Sequence, residues 1–152
     1  MKLIIAIILT LISSYSRASF PLEITQKEMA SQADHILTGK VVDVDMIDGE
    51  GKKITSRQEM TGPGLRNTIR LHVRVEKVLV TSAKDVPKML IIPLDPFMHY
   101  SLGNVQSVES QNHETRLFLL KGENFQPIVA GRFEQPLSEQ KQVMKIHKDA
   151  HR

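Results

Sequence analysis

The sequence predicts a mainly β protein, a small antiparallel barrel of about five strands preceded by one short helix. Three observations carry that expectation. Ile69, Leu71, Val73 and Val75 alternate with Arg70, His72, Arg74 and Glu76, the period of a strand with one face in the core and one in water. Residues 36–46, ILTGKVVDVDM, alternate almost as regularly and are rich in β-branched side chains. Only one segment of the domain, around residues 26–34, has helical spacing behind a cap signal.

The chain opens with an address. Met1 and Lys2 precede the ten-residue apolar run LIIAIILTLI, which ends in a polar stretch with small residues at Ser16 and Ala18. A positive start, a short apolar core and a small-x-small ending predict a secretory signal peptide over residues 1–18. The run is short of the roughly 20 apolar residues of a membrane span. An uncleaved anchor and a buried first helix are the competing readings. Cleavage near Ser19 leaves no stable membrane span and places the protein in a secreted or periplasmic compartment.

Each element of the barrel domain, residues 19–137, follows in order. Thr25-Gln26-Lys27-Glu28 reads as a capping box, with Met29, Ala30 and Ala33 as the apolar stripe of a helix from Gln26 to about Asp34. Gly39 inside the first strand predicts a bulge or sharp bend. Asp43 and Asp45 lie two apart and share that strand's outward face, opposite Val42, Val44 and Met46. Residues 48–67 are polar and hold four of the eight glycines, with Pro63 between two of them in Gly62-Pro63-Gly64, so they form a long connection. The strand from Ile69 continues through Val78 and Val80. KMLIIPL, residues 88–94, is a short strand with a proline at its end. Residues 95–113 read as a second long loop with apolar anchors at Phe97, Met98, Tyr100 and Leu102. RLFLL, residues 116–120, is a buried strand, 121–124 a turn, and 125–133 a return strand broken at Gly131. Residues 138–152 read as a solvated, basic C-terminal tail.

The phrases ADHILTGKVVDV, RLHVRVEKVLV and RLFLLKGENFQPIVAGRF resemble small exported bacterial proteins with an oligonucleotide/oligosaccharide-binding-type (OB-like) barrel. They are also similar to the netrin-like domain of tissue inhibitors of metalloproteinases. The likeness spans most of residues 33–133 and rests on core spacing, so what it implies is a fold rather than an activity. Those inhibitors act through an N-terminal cysteine and are stapled by disulfides. This chain has no cysteine, which argues against carrying the inhibitory mechanism over.

Charge narrows the partners. The chain has 20 Lys plus Arg against 17 Asp plus Glu, a formal +3. Without Lys2 and Arg17 the balance is 18 against 17, and the tail holds a local +2, leaving the body at −1. Within residues 51–80 the balance is a local +5, from Lys52, Lys53, Arg57, Arg66, Arg70, Arg74 and Lys77 against Glu59 and Glu76. Lys52, Lys53, Arg57, Arg66, Arg70, His72 and Arg74 are therefore the candidate binding residues for a polyanion, nucleic acid or glycan, on a basic strand face. The face lacks the aromatic residues that stack on bases, and a solvated strand face is the simpler account.

Asp95, His99, His113 and Glu114 combine carboxylate and imidazole in one loop, weak candidates for a metal or acid/base site whose spacing is not diagnostic. His147 and His151 share a helical face by spacing, in the expected tail. No GxSxG, HExxH, phosphate-loop or dinucleotide signature is present, so no catalytic residue and no cofactor is assigned. The expectation is an exported, non-enzymatic binding domain that takes another protein on loops 48–67 and 95–113. Polyanion binding and a metal-assisted hydrolase are the alternatives.

Overall fold

The computed structural model describes residues 24–152; the expected signal peptide and its expected cleavage point lie outside them. Helix α1 spans Gln26–Gln32, and its capping box forms as expected: Glu28 N–H donates to Thr25 Oγ1 at 3.1 Å while Thr25 N–H donates to Glu28 Oε2 at 2.8 Å. Strand β1 follows at His35–Ile47, then the short β2 at Lys53–Ile54, β3 at Thr68–Thr81 and β4 at Met89–Pro93. Helix α2 covers Leu102–Gln111, and strands β5, Arg116–Lys121, β6, Gln126–Pro127, and β7, Glu134–Pro136, complete the sheet. A 3₁₀ turn at Leu137–Glu139 leads into helix α3, Gln140–Ala150.

All pairings are antiparallel, and the fold is mainly β with short helices. The strand order is β4-β3-β1-β5-β6, with β2 added to β1 and β7 to β5. The sheet is open: β4 and β6 end the order and do not pair with one another. Long β1 and β3 form its spine. Register slips beside Gly39, where a side chain would meet the Arg74 carbonyl oxygen at 2.6 Å, so the bend expected there needs a residue without Cβ.

Two apolar cores flank this sheet. The inner one gathers Leu37, Val44, Met46, Ile69, Leu71, Val73, Ile92, Leu102, Phe118 and Leu120. The outer one packs Met29, Ala30 and Ala33, from α1 and its C-cap, and α3's Val143 over Ile36, Leu117 and Leu119. Successive residues of β5 therefore face opposite cores, which explains why RLFLL is apolar throughout rather than alternating.

Several expectations change. Residues 138–152 are not a frayed tail: Val143 is fully buried and His147 Nδ1 lies 2.9 Å from the Ala30 carbonyl oxygen, so α3 is docked. Residues 95–113 contain α2, and the return strand at 125–133 shrinks to two residues before β7 takes over pairing with β5. Phe125 at φ 51° and Gly131 at φ 72° turn the chain where a longer strand was expected. The register shifts three times along β1 and β3, and at the shift between Val41 and Asp43 both Val41 and Val44 are buried while Val42 is left 44% exposed.

Candidate functional site

The basic strand face meets acid in register. Arg70 pairs with Asp45 across β1 and β3, and His72 with Asp43. Arg70 donates to both Asp45 oxygens, Nε to Oδ1 at 2.8 Å and Nη2 to Oδ2 at 2.6 Å. His72 Nε2 lies 3.2 Å from the same Oδ2 but without the alignment of a hydrogen bond. Asp45 is only 7% exposed, so the expectation that it is a simple water-facing residue fails. The Arg70 hydrogen bonds hold its carboxyl below the ordinary aspartate range, against the opposing cost of burial, and the same bonds raise Arg70. Arg70 is thus already neutralised.

The other basic candidates separate. Lys52 and Lys53 are exposed at the β1–β2 turn, where Asp48 accepts the Lys52 and Glu50 N–H groups and is lowered by them. Arg66 lies over Gly49. Arg57 donates to Gly103 O at 3.2 Å and Ser107 Oγ at 3.0 Å, tying residues 48–67 to α2. Arg74 stands opposite Lys40, exposed. These seven residues do not make one stripe.

The metal candidates do not converge either. Asp95 accepts the Phe97 N–H at 2.9 Å and sits beside Gly131, His99 lies against Gly62, His113 faces α2's cleft, and Glu114 is exposed. Among the described residues, no group of three His, Asp or Glu side chains could hold an ion. His147 and His151 stack, with centroids 4.2 Å apart, and each Nδ1 contacts a backbone carbonyl oxygen.

What sequence reading missed is how the two long loops meet. Thr61 N–H donates to Tyr100 O at 2.9 Å, its hydroxyl donates to Met98 O at 2.6 Å, and Tyr100 N–H returns to Thr61 Oγ1 at 3.2 Å. Leu102 and Gly103 N–H groups donate to Glu59 O and Arg57 O. This stitched pair leaves Met60 41%, Leu65 50%, Phe97 72% and Met98 52% exposed. Elsewhere on the sheet, Arg116 bridges Glu109 of α2 and Glu134 of β7, each at 2.5 Å. Burial pushes the Glu134 carboxyl up, with Glu109's charge adding to the effect and Arg116 opposing it. Burial alone would lower Arg116, but the two carboxylates outweigh it. No sequence signal joins these three residues, which come from three different elements.

A cleft of about 600 Å³ opens between β1 and α2, lined by residues 40–44, Arg57, Arg74, Gln106, Ser107, Glu109, Ser110 and His113. Both long loops contribute to it. No helix among the described residues is long and apolar enough to cross a membrane.

No family model matches the chain, and no curated protein matches it.

Proposed function

We propose that this chain is an exported, non-enzymatic binding domain that takes a protein partner on its paired loops. The observation that carries the reading is the stitching of residues 57–61 to 98–103, which holds four large apolar side chains in water on one rigid loop pair. Exposed Phe and Met are costly to leave solvated together, and loops ordered in advance lose little entropy on binding. Protein rather than polyanion fits better, since Arg70 is bound to Asp45 and the remaining cations are dispersed. Export rests on the leader pattern of residues 1–18. The barrel reading is kept in a modified form: β4 lies against β6 without pairing, as a curled, incompletely closed OB-like barrel would have it.

Affinity capture from the export compartment tests this, comparing the wild-type chain with a Phe97→Ser, Met98→Ser variant. A specific protein should be retained by the first and lost from the second, with both melting alike. Equal retention by the two, or retention of nucleic acid or glycan alone, would overturn the reading.

A further inference from the structure

Strand β1, central in the sheet, is incompletely paired. On one side β1 runs beside β3 along its whole length. On the other, β5 pairs with it only from His35 to Gly39, and β2 only at Met46 and Ile47. Residues 40–45 therefore have no strand neighbour on that side, an open edge of about 20 Å at the usual rise per residue. Val44 shows how the gap is occupied. Its N–H donates to Asp43 Oδ1 at 2.8 Å and its carbonyl accepts from Gln106 Nε2 at 3.1 Å. In an antiparallel strand both groups of one residue point to the same side, so two side chains stand in for the missing strand.

The charges around the gap define its occupant. Among the described residues Arg57 and Arg74 have no carboxylate partner, and Lys40 reaches Glu76 only at 3.9 Å. Of the cleft's two carboxylates, Glu109 is paired with Arg116, and Asp43 accepts the Val44 N–H but keeps its charge, which Arg57 and Arg74 together exceed. Arg74, opposite Lys40, stands at one end of the gap; Arg57, bonded to Ser107, stands toward the Val44 end. The lining holds no Phe, Tyr or Trp for base stacking, which disfavours nucleic acid.

We propose that the cleft between β1 and α2 binds an extended peptide segment carrying acidic side chains, which adds as a strand to the open edge at Val44. Main-chain bonds to Val44 replace those from Asp43 and Gln106, and two carboxylates about four residues apart meet Arg74 and Arg57. The lining includes none of the four exposed apolar side chains of the loop rim, so either reading can fail alone.

The test uses the isotope-labelled full chain and a pool of blocked heptapeptides with Glu at the second and sixth positions and Val, Thr or Tyr elsewhere. Saturable shifts of the Val44 backbone amide and the Gln106 side-chain amide are expected, with an apparent Kd below about 1 mM. Arg74→Glu and, independently, Arg57→Glu should weaken binding by about tenfold or more. Gln106→Ala should not weaken it, because Gln106 competes with the peptide for the Val44 carbonyl. The proposal is overturned by no saturable shift from the pool, by an equal response to a pool with Lys in place of Glu, or by loss of binding in Gln106→Ala. An equal response to inorganic phosphate or free glutamate also overturns it, since that marks a small-anion site.

Discussion

Replacing Asp45 with alanine isolates the contribution of the ion pair that interrupts the basic face. The pair lies between two regimes, because the Asp45 side chain is 9% exposed and that of Arg70 26%. A fully exposed pair would contribute under about 1 kcal/mol, and removing one partner of a fully buried pair costs about 3–5 kcal/mol. Two charge-assisted bonds at 2.6 and 2.8 Å in this half-buried setting place the loss near 2 kcal/mol at neutral pH. For a chain of this size that is a fall in Tm of roughly 4–8 °C. A double-mutant cycle with Arg70→Met, followed by urea denaturation, should give a coupling of about 1–2 kcal/mol. The pH dependence follows from the direction of the Asp45 shift. Its folded-state carboxyl sits below the ordinary value of 3.8, so the stabilisation is complete above that value and is lost as the pH falls through the folded one. Wild type and Asp45→Ala should therefore converge only in strong acid. A coupling under about 0.3 kcal/mol, indistinguishable from additivity, would refute the reasoning.

Glu134 should behave in the opposite sense. Its folded carboxyl is raised above the ordinary 4.5, so its contribution is complete below that value and is lost as the pH rises through the raised one. Glu134→Gln should lie within about 1 kcal/mol of wild type at pH 7 and lack that downward slope, read by urea denaturation across pH; an unchanged slope would exclude the assignment. Val143→Asp places an unpaired charge in the outer core and should release α3. Hydrogen exchange should then show residues 140–150 unprotected while β1 and β3 keep their protection, whereas uniform protection would mean that α3 does not depend on this contact.

How much of this could be read from the sequence varies from one residue to the next. β3 was legible because every second residue from Ile69 to Val73 enters one core. α1 was legible because its capping box is local. α2 was not, because LGNVQSVESQ has no apolar stripe and poor helix formers; it is held by Leu102, by Gln106 on Val44 and by Glu109 on Arg116. Only the Ser101 N-cap, accepting from Asn104 N–H, left a trace in the sequence. α3 was read as a tail because His147 and the charged residues around it hid one decisive core residue, Val143. The Asp45–Arg70 pair needed the register of β1 on β3, which shifts at the bulge by one residue that no periodicity foretells. The cations of residues 52–74 cluster in sequence, but in space only Arg57 and Arg74 share a cleft, while Lys52, Lys53 and Arg66 lie elsewhere and Arg70 is paired with Asp45.

The docking of α3 also sets the order of events during synthesis. The outer core is shared between α1, near the start of the described chain, and a helix made of residues 140–150, near its end. β5 cannot bury Leu117 and Leu119 until that last helix has left the ribosome, whose exit tunnel conceals the newest stretch of chain. The sheet can begin to assemble earlier, but its helix-covered face stays unfinished until residues 140–150 have emerged. A chain built this way keeps an apolar strip open to chaperones until α3 docks.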